Sequence, residues 1–85
     1  MIVAVTDRTG TRRYAFANAV TAIAASLREH QRVAVHDPDT GTERWRLHHA
    51  GGAVTVEAPP ATLFDPDPPT PSWVARLAEA ATALL

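Results

Sequence analysis

Eighty-five residues with eight basic and nine acidic side chains, net charge −1, describe one small domain with no global field drawing it to nucleic acid or anionic membrane. Cysteine is absent, which removes disulfides and thiolate metal sites. No apolar run approaches the roughly 20 residues of a membrane span, and the N-terminus lacks the basic start and cleavage site of a signal peptide, so a soluble, cytoplasmic protein is expected.

Along the chain, the apolar run Ile2 to Val5 predicts a strand covered on both faces and central in its sheet. Asp7 to about residue 12 reads as a loop. A helix over about 13–29 follows, with Phe16, Val20, Ile23 and Leu27 on one core-facing stripe and small alanines beside it that permit close approach to the sheet. Arg32 to Asp37 is the next strand. A strand, helix and strand of this length predict a parallel pair with a right-handed crossover.

The second half reads differently. Asp37-Pro38-Asp39-Thr40-Gly41 is turn chemistry, Thr42 to His49 alternates, Ala50-Gly51-Gly52 turns the chain again, and Ala53 to Ala58 completes an antiparallel meander. In its middle strand Arg44, Arg46 and His48 share one face, while Trp45, Leu47 and His49 share the other. Six of the seven prolines fall within 59–71, which predicts an extended surface segment pinned by Leu63 and Phe64. Thr70 then caps a last helix that has Pro71 at its first position and Trp73, Leu77, Ala80 or Ala81, and Leu84 on its apolar face. The expected architecture is a single α/β domain ordered β-α-β-β-β-α, with helices packed on a four-stranded mixed sheet. If both helices cover the same side, the other face stays bare, and pairing into a homodimer or with a larger protein is the expected remedy.

Ile2 to Thr6, Asp7 to Ala15, Phe16 to Leu27, Val33 to Gly41 and Val54 to Pro60 together resemble, in order, the opening segments of the ParA and MinD family of partition ATPases. Ile2 to Thr6 resembles the family's first strand, Asp7 to Ala15 occupies the place of its glycine-rich phosphate loop, and Phe16 to Leu27 resembles the following alanine-rich helix. Val33 to Gly41 is similar to the second strand with its D-x-D-P-Q-G ending, Asp37 and Asp39 in register, and Val54 to Pro60 is similar to the Walker B strand with Glu57 in the aspartate's place. The departures are chemical. Gly10 alone survives of the loop glycines, Thr9 and Tyr14 stand where the family has lysines, and Ala15 stands where it has the magnesium-binding hydroxyl. The resemblance therefore implies a reduced, non-catalytic relative, with no ATPase activity and no cofactor expected. The alanine-rich composition, with arginine as the only cation besides histidine, reads as a high-GC bacterial, phage or plasmid source.

Two weak clusters carry candidate chemistry. Gly10, Arg12 and Arg13 at the start of the first helix form a candidate anion site, since a helix N-terminus favours anions and disfavours cations; the alternative is a pair of solvated arginines near Asp7, Asp37 or Asp39. Asp37, Asp39 and Glu57 form a candidate acidic cluster at the carboxyl ends of strands, with Asp37-Pro38-Asp39 equally readable as a turn. His48 and His49, adjacent on a strand, face opposite ways, so at most one of them joins His36, and no metal is expected. Arg44 and Arg46 resemble a basic strand surface. The function expected is a non-catalytic interaction module that self-associates or binds a protein partner. The alternative is a nucleic-acid or nucleotide binder using the arginines at the first helix.

Overall fold

The computed structural model describes residues 1–39, 44–58 and 69–85. The readings of Thr40 to Thr42, and of the proline-rich stretch from Pro59 through Leu63 and Phe64 to Pro68, lie outside the described residues. The elements are β1 (Ile2–Asp7), β2 (Gly10–Ala15), α1 (Phe16–His30), β3 (Arg32–His36), β4 (Trp45–Ala50), β5 (Ala53–Glu57) and α2 (Ser72–Leu84). They build an α+β domain with one five-stranded sheet, ordered β2-β1-β3-β4-β5 and antiparallel at every pairing.

The sheet has one strand more than the four expected, and the extra strand changes the topology. Residues 10–15, expected as loop and helix start, pair with β1 along its whole length, from Asp7 opposite Gly10 to Ile2 opposite Ala15. A two-residue connection, Arg8-Thr9, closes this hairpin. The Asp7 carboxylate accepts the Thr9 N–H at 2.8 Å and the Thr9 hydroxyl at 2.6 Å, and Gly10 takes a φ of 126° that an L side chain rarely adopts. The chain has therefore already reversed when α1 begins, so the helix crosses from β2 over β1 and delivers β3 antiparallel to β1. This corrects the expected parallel pair.

Helix α1 starts at Phe16, whose N–H donates to the Met1 carbonyl at 3.1 Å in place of a side-chain cap. It ends at Gln31, which takes the left-handed conformation at φ 64° and returns its N–H to Leu27 O at 3.0 Å. The stripe expected on α1 holds: Ile23 and Leu27 are buried, and Phe16 and Val20 pack against the core. Helix α2 buries Leu77 and Ala81 of its expected face, with Trp73 packed against the core, and adds Val74 and Ala78 to it, while Leu84 is exposed. Pro71 is its N-cap residue, not its first helical position.

The two helices run side by side in the same sense. Arg76 lies over the Phe16 ring at one end, and Arg28 donates to the Leu84 carbonyl at the other. Both helices pack on one side of the sheet, where Val3, Val5, Val33, Val35, Trp45 and Leu47 meet Ile23, Leu27, Val74 and Leu77 in a single core. Thr82 accepts the Val54 N–H at 3.1 Å and so engages the outer edge of β5. Among the described residues no helix lies on the other sheet face.

Candidate functional site: the uncovered sheet face

Because side chains alternate along a strand, the odd-numbered core residues of β1 and β3 to β4 force their neighbours onto the uncovered face. The antiparallel register then fixes what lies beside what. One row across the sheet reads Thr11, Thr6, Ala34, Arg46, Glu57; the next reads Arg32, His48, Thr55; on the other side lie Arg13, Ala4 and His36. The strands thus present three arginines, two histidines and a single carboxylate, Glu57, in a chain whose net charge is −1. Charge is segregated. Asp37 and Asp39 sit in the turn after β3, and Glu29 and Glu79 ride on the helices.

Small residues shape this face. Ala4 is buried and Ala34 half-buried, while Thr6 and Thr11 join hydroxyls at 2.7 Å across β1 and β2. Over Thr6 and Ala34 the surface sinks into a groove of about 330 Å³, bordered by Arg8 from the hairpin, Arg32 from β3, Arg46 and His48 from β4, Glu57 from β5, and Asp7 and His30 at one end. Arg8, Arg32 and Arg46 are exposed. Among the described residues the ion pair within 4 Å is His30 with Glu29, at 3.5 Å, so none of these guanidiniums is held by a described carboxylate.

The carboxylate of Asp7 has a strongly shifted proton affinity. Its pKa falls to about 2, first because the Thr9 hydroxyl donates to it, then through the Thr9 N–H and through the Ser26 hydroxyl of α1 at 2.9 Å. The carboxylate thus ties the hairpin tip to the helix.

The residues singled out from sequence are dispersed. Gly10 stands at the hairpin, Arg12 on the helix-side face of the edge strand and Arg13 on the uncovered face, so neither arginine lies in the first helical turn. Gly10 and Arg12 border a depression of about 40 Å³, large enough for a few waters. The start of α1 lies a full strand away. Asp37 accepts the Asp39 N–H at 2.9 Å in a local turn, and Glu57 lies in the row of Ala34, roughly 14 Å from Asp37 by strand spacing. His36 and His48 share the uncovered face but stand roughly 14 Å apart along neighbouring strands, with His49 on the opposite side. Among the described residues no three His, Asp or Glu gather closely enough to hold a metal ion. The His36 Nδ1 is buried and has no hydrogen-bond partner among them.

Arg46 and His48 were legible as one face of a strand. Arg8 and Arg32 were not, because they join that face only through the antiparallel register of β1, β3 and β4. The spacing Arg32-x-Ala34-x-His36 was the available signal. No helix is long and apolar enough to cross a membrane among the described residues. No family model, curated protein or solved structure matches the chain.

Proposed function

We propose that this protein is a non-catalytic binding module of the cytoplasm whose uncovered sheet face engages the phosphate backbone of a nucleic acid. The observation that carries this reading is the segregation of Arg13, Arg32 and Arg46, with Arg8 at the rim, onto the sheet face that no helix covers. Arginine presents a planar fork of donors matched to phosphate oxygens. The aromatic side chains of the described residues, Tyr14, Phe16, Trp45 and Trp73, all belong to the helix side of the molecule. Among the described residues the uncovered face thus offers no Phe, Tyr or Trp as a stacking platform, which favours a duplex held through its backbone over a single strand.

Self-association is the competing use of a bare sheet, and the charge distribution decides between the two. A two-fold pairing through this face sets its arginines against their own copies with Glu57, the one carboxylate that the strands present there among the described residues, to offset them, whereas a polyanion neutralises them. The order of segments that resembles a partition ATPase contributes nothing here, since residues 10–15 form a strand where that family has its phosphate loop.

The test is fluorescence anisotropy with a short duplex across salt concentrations. Three to four phosphate contacts give a log–log salt slope of roughly −3 to −4, and replacing Arg32 and Arg46 together by alanine flattens it by about 2. A protein that ignores duplex at low salt, or binds it with an unchanged slope after those replacements, overturns the reading. A dimer by light scattering with no duplex binding returns the face to a protein partner.

A further inference from the structure

Resting on the reading that the uncovered face takes a nucleic acid, we infer that the groove over Ala34 holds the end of a strand, with a terminal phosphate monoester as the anchoring group. Arginines are not spread evenly over the face. Among the paired strand residues the row of Ala4 and His36 carries Arg13, with Arg44 just before β4, whereas Arg8, Arg32 and Arg46 all border this one depression from the hairpin tip and two strands, with His48 beside them. An internal phosphodiester carries one negative charge, while a monoester carries about −1.5 to −2 at pH 7 and three acceptor oxygens. Three guanidinium forks match the monoester better. The volume, about 330 Å³, lies at the small end of ligand sites and suits one nucleotide.

The acids bordering the groove argue for an end over a passing backbone. Glu57 on β5 borders the groove, and a continuous polyanion crossing there has to run past it, whereas the carboxylate of Asp7 at the end of β1 is turned towards α1. The Asp7 oxygens are engaged by Thr9 and Ser26. Glu57 accepts a hydroxyl or amino group from the terminal nucleotide and repels a second phosphate. The floor is alanine, so there is depth for the group to enter.

Anisotropy on one duplex carrying a 5′-phosphate, a 3′-phosphate, or hydroxyls at both ends, with inorganic phosphate as competitor, tests this. The expected result is roughly tenfold or tighter binding to one phosphorylated end, the contribution of a charge-assisted hydrogen bond, with competition by millimolar phosphate. Ala34→Leu, which fills the groove from its floor, abolishes that preference while binding to the unphosphorylated duplex persists, and Arg32→Gln, at an exposed position, abolishes the preference and also weakens duplex binding. Equal affinity for all three ends, with binding still weakened by replacing the arginines, overturns the terminal site and leaves the backbone reading intact. A phosphate preference that survives both substitutions also overturns it. Failure to bind any duplex removes both.

Discussion

The two faces of the sheet follow opposite rules although they share every strand. On the helix side, Val3, Val35, Trp45 and Leu47 are fully buried, and the residues obey volume and shape. On the other side, Thr6, Arg13, Arg32, Arg46 and His48 obey charge, and only alanine and threonine lie close to the sheet. A strand such as β4 alternates between the two regimes one residue at a time, with Trp45 and Leu47 inside and Arg46 and His48 outside. On the proposed reading, stability and recognition are carried by interleaved but separable sets of side chains. Substitutions on one face should move the melting temperature, and those on the other should move affinity.

The sharpest way to break that separation is at β4. Trp45→Ala removes the largest fully buried side chain and should cost about 3–5 kcal/mol, enough to unfold much of a small domain. Leu27→Ala, on the facing surface of α1, should cost about 2–4 kcal/mol. Both are measured by urea denaturation. If Trp45→Ala melts within a degree or two of the parent, the core does not lie where the structure has it.

How much of this was legible beforehand follows from which signals are local. The stripe on α1, the meander from β3 to β5 and the inside-outside alternation of β4 depend on periodicity within one element, and all three are found. Strand β2 was missed because Asp7, Gly10 and two adjacent arginines read equally as a loop entering a helix, and because Tyr14 and Ala15 tolerate either structure. The Asp7 side chain closing on Thr9, with Gly10 after it, is the hairpin signal that was present. That one omission propagated: it fixed the wrong sense for β3, moved Arg12 and Arg13 onto a helix, and hid the meeting of Arg8 with Arg32 and Arg46. In α2, alanine-rich spacing left the edge of the apolar face undecided, and contact with α1 and β5 added Val74 and Ala78 to it.

Asp7 joins the two regimes, since its backbone lies in β1 while its carboxylate holds the hairpin to α1. Asp7→Ala should cost about 1–2 kcal/mol through lost hydrogen bonds to a charged acceptor that is partly open to solvent. The sign of its pH dependence is set by the depressed pKa. In the unfolded chain the group titrates near 3.8, and in the folded one near 2. Its stabilisation is therefore complete above about pH 4 and lost as the pH falls through about 2. A pH series of melts on the parent and the variant should converge at the acid end and diverge above it. Parallel curves across that window would remove the carboxylate from the account.

A smaller effect of opposite sign is expected at Gln31, the non-glycine residue held at positive φ. Gln31→Gly relieves that conformation at the end of α1, and the gain is about 0.5–1 kcal/mol.

The smallest effect on stability is the most informative about the uncovered face. Replacing Arg13, Arg32 and Arg46 together by glutamine should shift unfolding free energy by no more than about 0.5 kcal/mol for each site, because exposed cations with no close carboxylate among the described residues contribute little. The shift should be towards greater stability, since the like charges of Arg32 and Arg46 sit diagonally on adjacent strands, with Arg13 two strands away from Arg32, and their removal relaxes that repulsion most at low salt. Raising the salt should stabilise the parent and leave the triple variant nearly unchanged. A destabilised triple variant would mean that these side chains brace the sheet through their aliphatic stems, and the division of labour between the two faces would fail at the residues that define it.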